Sequence, residues 1–165
     1  MADQYDRDDR VEGVRSKASI MGHPIHPMII PFPIAFLVGL FVTDIVYLAT
    51  EDRFWAHLSF WLALAGLITG LLAAVFGLID FSSIKRVRDY GAAWIHAIGN
   101  VLAMLLTLIN VAIRWNDPVD AVLPWGMVLS AIVFVALLVT GWYGGELSYR
   151  FGIGVSPRRE RPMEA

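Results

Sequence analysis

The chain contains no cysteine. Disulfides, thiolate metal ligands, cysteine-held iron–sulfur clusters and a cysteine nucleophile are therefore excluded. Charge is also scarce: charged residues make up 17% of the 165, against about a quarter in an average soluble domain. A net charge of −2 gives nucleic acid no general attraction, so nucleic acid is not expected as a partner. No phosphate-cradling glycine loop, paired-cysteine metal motif or serine-nucleophile elbow occurs. The first twenty residues ("MADQYDRDDRVEGVRSKASI") are polar, so no cleavable signal peptide is expected. Histidine, carboxylate, amide and hydroxyl groups must carry whatever chemistry exists.

What the chain has in abundance is apolar sequence. Hydrophobic residues are 57% of the total, and the mean hydropathy is +0.60. Four apolar runs, at about residues 27–49, 54–81, 92–113 and 119–147, are each long enough to cross a bilayer core of roughly 30 Å, which takes about 20 helical residues. Continuous apolar character and the need to satisfy every backbone group in lipid exclude open sheets. The connections "TEDR", "SSIKRVRDYG" and "RWNDP" are short, which forces antiparallel neighbours. The expected fold is all-α, an up-down antiparallel bundle of four transmembrane helices. Residues 23–155 would form this domain, between polar tails at 1–22 and 156–165.

Arg7, Arg10, Arg15, Lys17, Lys85, Arg86, Arg88, Arg150, Arg158, Arg159 and Arg161 fall on one side of such a bundle, against Arg53 and Arg114 on the other. The positive-inside rule then predicts cytoplasmic termini and a bacterial inner-membrane protein. Aromatic residues stand near both interfaces: Phe54, Trp55, Trp115 and Trp125 on the outer side, Tyr90, Trp94, Trp142 and Tyr143 on the inner. In the second run Gly66, Gly70, Ala73 and Gly77 share a face, which predicts a tightly packed helix partner.

Ionisable groups inside membrane spans are expensive and so are functional candidates. The topology brings five to the cytoplasmic end: His23 and His26 before the first run, Asp80 closing the second, His96 near the start of the third, and Glu146 closing the fourth. In the third run His96, Asn100, Ala103, Thr107, Asn110 and Arg114 recur at steps of four and three, a seam that should face the other helices. His26 to Asp80 and His96 to Glu146 are separated by 54 and 50 residues, a hint of two parallel hairpin repeats about an axis along the membrane normal.

Three chemistries fit the cluster. One is a metal site of iron or zinc, with His23, His26, Asp80, His96 and Glu146 as ligands. A second is haem b between His96 and His23 or His26, with Asn100 one turn away. The third is a proton-handling or substrate site with no cofactor. The plainer reading is that these groups cap helix ends and form interfacial ion pairs. On the outer side, a hydrogen bond between Asp44 and His57 would be a structural contact joining the first two runs. In "GHPIHPMIIPFPIAF", Pro24 and Pro27 bias their predecessors away from helix, Pro27 suits a first helical position, and Pro31 and Pro33 weaken the first turns. The segment is expected to be an extended strap laying His23 and His26 across the cytoplasmic mouth.

Together, "GHPIHPMIIPFPIAF", "GLIDF", "WIHAIGN" and "GWYGGELSYRFGIGV" resemble a bacterial family of four-helix membrane proteins, the domain-of-unknown-function family numbered twenty-two thirty-one, over residues 22–155. The resemblance implies an inner-membrane bundle with kinship to cytochrome b561-like proteins and brings no established activity. Phe151 stands where related sequences would carry a histidine after "YR", which counts against haem. Two functions follow as expectations. One is a metal- or haem-binding, redox-linked membrane protein with an electron-transfer or membrane-complex partner. The other is a non-catalytic accessory subunit whose polar cluster staples the bundle. The lipid bilayer is the expected environment, and a homo-oligomer is compatible with both.

Overall fold

The computed structural model describes residues 13–155, and within them four helical segments have the length and apolarity to cross a membrane: Ile25–Thr50, Arg53–Ser83, Gly91–Arg114 and Val122–Arg150, hereafter spans one to four. They alternate in direction, so the described ends of the chain share one end of the bundle. Span one packs most extensively on span two, and span three on span four. Spans one with four and two with three close the bundle, leaving one and three diagonally opposed.

The proline-rich approach is extended at His23–Pro24 and helical from Ile25 onward. Ser19–Ile20 pairs antiparallel with His23–Pro24, joined by a tight turn in which Met21 and Gly22 have φ of 51° and 81°. Two successive positive φ values are what the favoured hairpin turn requires. Pro24 then caps a short helix, Ile25–Ile29, and Ile30 keeps helical angles into Pro31–Thr50. Pro31 and Pro33 cannot donate backbone hydrogen bonds. The helical path survives because Ile30 bonds to the His26 carbonyl and Ile34 to that of Ile30. His26 thus rides on a helix, while His23 lies exposed on the hairpin.

Span one ends where Glu51 takes a left-handed conformation, φ 54°, and Asp52 caps span two by accepting from the Phe54 N–H at 2.9 Å. The small residues of span two allow close approach, as their spacing predicts. A Cβ at Gly66 would stand 2.5 Å from a Leu37 methyl carbon, and one at Gly70 2.5 Å from the Met104 sulfur. The central core is apolar: Leu37, Leu40, Phe60, Ala63, Leu67, Val111 and Val133. A second cluster of Ile84, Val87, Ala93 and Leu147 seals the end that carries the termini.

That seal includes residues expected in the tail. The Val14 N–H donates to the Gly152 carbonyl and its own carbonyl accepts from Gly154, while Phe151 stacks on Tyr90 with centroids 4.1 Å apart. Residues 1–12 and 156–165 of the expected tails lie outside the described residues.

Polarity is distributed inside out. Asp44, Ser59, Thr107, Asn110, Arg114 and Ser130 have no exposed surface, whereas Leu78 is 65% exposed and Ile68 59%. In water this arrangement would leave a broad apolar surface unpartnered. In lipid it is the favourable one, because acyl chains solvate leucine and isoleucine and only other helices can solvate Asp or Arg.

Candidate functional site

Two polar centres lie on the line between the diagonal spans. At the terminal end, His26 of span one and His96 of span three face each other with ring centroids 6.2 Å apart and planes at 84°. Each ring is tethered within its own hairpin. His26 Nδ1 lies 2.8 Å from the Ala73 carbonyl, and His96 Nδ1 lies 2.8 Å from the Thr140 carbonyl.

Both carbonyls already lie within helices, and each is laid open by a glycine four residues later, at Gly77 and Gly144. A Cβ at Gly77 would come 3.0 Å from the His26 ring, and one at Gly144 2.9 Å from that of His96. In a helix the carbonyl of residue i points toward residue i+4, so a missing Cβ there uncovers it. The same device thus occurs once per hairpin, consistent with the parallel repeat suggested by the histidine–acid spacing. Its true equivalents are Ala73/Gly77 and Thr140/Gly144, not Asp80 and Glu146.

The tether settles the chemistry of both rings. A carbonyl only accepts, so Nδ1 carries the proton, and in the neutral ring Nε2 keeps the lone pair. Neither Nε2 has a partner among the described residues, and neither is sealed off in the interior. Metal-ligating histidines are held in this way, with the second nitrogen donating to a carbonyl that fixes tautomer and ring orientation. Asn100 supports the pair: its amide donates to the His96 carbonyl at 2.7 Å, and its oxygen accepts from the Thr140 hydroxyl at 3.4 Å.

The other predicted ligands are engaged elsewhere. Asp80 accepts from the Ser16 hydroxyl at 2.6 Å and from the Lys17 and Ala18 N–H groups at 2.7 and 3.1 Å, fastening the amino-terminal segment to span two. Glu146 pairs with Arg150 at 3.2 Å, near the surface. His23 bonds through its backbone in the small hairpin. Among the described residues no group of three or more His, Asp or Glu side chains is placed to hold a metal.

The five-ligand site is thereby reduced to two imidazoles. Structural zinc takes four ligands, which the protein does not assemble here. Haem, the cofactor the b561-like kinship implies, needs a flat slot on the order of 300–1,000 Å³ beside its ligands. The best-formed hollows are open grooves on outer faces, one around Ile109, Leu123 and Trp125 and one around Leu138 and Trp142, and neither histidine lines them. The pair as folded does not fit a porphyrin.

The second centre lies at the far end. The Arg114 guanidinium grips both Asp44 carboxylate oxygens at 2.8 and 2.7 Å, with Nε donating to Asn110 at 2.7 Å and a terminal nitrogen to Ser59 at 2.6 Å. The Ser130 hydroxyl reaches Asp44 at 2.7 Å, and the Asn110 amide donates to the Gly126 carbonyl at 3.2 Å. Every span contributes, and no buried side-chain polar atom is left without a partner among the described residues.

This overturns the Asp44–His57 contact: His57 is exposed, and the Asp44 partner is an arginine seventy residues away. It also withdraws Arg114 from the far-side loop, where its charge was counted, and leaves it fully buried. The seam from His96 to Arg114 does face inward, as its spacing predicts, with Ala103, Thr107, Asn110 and Arg114 fully buried. Ser59 and Ser130, the carbonyls of Ala73 and Thr140, and the histidine role of Gly77 and Gly144 went unnoticed in the sequence. A lone serine or glycine in an apolar run carries no signal. Similar offsets from the two histidines to helix glycines, 51 residues from His26 to Gly77 and 48 from His96 to Gly144, were the available clue.

The fold and this inside-out polarity define a multi-pass membrane protein. The chain belongs to the family of predicted membrane proteins designated DUF2231, which matches residues 22–157. No curated protein and no solved structure matches it.

Proposed function

We propose that this protein sits in the bacterial inner membrane with both termini in the cytoplasm and binds a metal through His26 and His96 near the cytoplasmic face. The observation that carries the reading is the paired tether: two imidazoles 6.2 Å apart, each with Nδ1 bonded to a carbonyl and Nε2 unpartnered. Withdrawal of Arg114 into the bundle supports the orientation, since among the described residues only Arg53 remains as a surface cation at the far end.

The competing reading, an accessory subunit with no ligand, draws support from the local engagement of Asp80 and Glu146. Metal analysis and a reduced-minus-oxidised optical spectrum of the protein purified in mild detergent decide between them. Stoichiometric metal lost in His26→Ala and His96→Ala is the expected result. A folded protein with neither metal nor chromophore would leave the accessory reading standing.

A further inference from the structure

Resting on that reading, we infer that the His26–His96 pair is a two-coordinate site for a soft monovalent cation, cuprous copper above all. Three features of the pair select this class of ion. The ligand count among the described residues is two, because the candidate carboxylates Asp80 and Glu146 are bonded elsewhere and the chain has no thiol. Zinc completes a tetrahedron and iron a larger shell, whereas monovalent d¹⁰ copper and silver accept two nitrogens in a line.

The second feature is spacing. The ring centroids stand 6.2 Å apart, a separation that admits a single ion with two metal–imidazole bonds of about 2 Å once both Nε2 atoms turn toward it. The carbonyl tethers hold each ring's Nδ1–Cε1 side against spans two and four, and neither Nε2 has a hydrogen-bond partner among the described residues.

The third feature is charge. Among the described residues no carboxylate is bonded to either ring, so a cation held between them carries its charge without a protein counter-ion. The penalty for burying an ion rises steeply with its charge, which disfavours a divalent ion against a monovalent one.

Anaerobic titration of the detergent-purified full chain with cuprous ion, against a chromophoric cuprous chelator, tests this. One cuprous ion per chain is expected, displaced by silver and untouched by excess zinc, with X-ray absorption showing two nitrogen neighbours and no sulfur. His26→Ala and His96→Ala should each weaken binding at least a hundredfold, while His57→Ala binds as wild type. Elution profile and melting temperature show which variants have folded, and the absorption spectrum of the wild type needs no variant. Stoichiometric zinc, ferrous iron or haem on the pair would overturn the cuprous assignment and leave the metal-binding reading intact. If a folded wild type takes up no metal at all, both fall.

Discussion

Asp44 and Arg114 each stand eighteen residues beyond a histidine, 26 to 44 on span one and 96 to 114 on span three. At about 1.5 Å per residue the two centres lie about 27 Å apart along the bundle. This equal spacing places identical residues across the diagonal at one end and opposite charges at the other. Two equal imidazoles leave two equal lone pairs, an arrangement completed by something from outside. A carboxylate and a guanidinium complete each other. Between them lie the fully buried apolar side chains of Leu37, Leu40, Ala63 and Val133. The far end is a closed account of donors and acceptors; the histidine end is open. That contrast is why function is assigned to the histidines and architecture to the ion pair.

Breaking the closed end should have the largest effect. Arg114→Met or Asp44→Leu alone strands a buried charge and should cost about 3–5 kcal/mol, read as loss of monodisperse protein and a collapsed melting temperature. The double replacement should be milder than either single change. If its cost is instead the sum of both, the two residues do not act as a pair. Gly126→Ala follows, because a Cβ there would stand 2.6 Å from an Arg114 guanidinium nitrogen; about 1–3 kcal/mol should be lost in the same melt.

The open end should respond more gently and symmetrically. Gly77→Ala and Gly144→Ala push on equivalent rings, and each should cost about 1–3 kcal/mol. Their costs should agree closely, and a large inequality would count against the repeat. Asp80→Asn should cost about 1 kcal/mol and speed amide exchange at Lys17 and Ala18 without touching the histidine pair. Glu146→Gln should be the smallest change, within about 0.5 kcal/mol, since Arg150 in that pair is 72% exposed.

Much of this was legible from composition and spacing. Long apolar runs joined by short loops yield four antiparallel spans, because lipid admits only self-satisfied backbones. The three-and-four spacing of span three placed His96 through Arg114 on an inward seam, since a polar stripe in hydrocarbon must find other helices. The pairing of groups was another matter. Closeness in sequence and similar depth point from Asp44 to His57, yet a carboxylate in lipid binds most strongly to a permanent cation. That cation, Arg114, lies across the diagonal. Asp80 was read as a ligand because it ends a span; its real partners are two backbone N–H groups and a serine that no spacing rule singles out. The prolines misled in their own way. They remove donors without changing φ, so a helical path through Ile25–Thr50 remained open to them.

By itself, then, the sequence determined that the chain crosses a membrane four times, which end collects three of its four histidines, and which face of span three turns inward. These follow from hydropathy and helical period, which are local and additive along the chain. Only the tertiary structure decided that two of five candidate ligands meet, that glycines four residues past two carbonyls fix both tautomers, and that Asp44 and Arg114 neutralise each other. Such pairings depend on distances across the bundle, where a shift of one residue turns a side chain by about 100° and exchanges its partner for lipid.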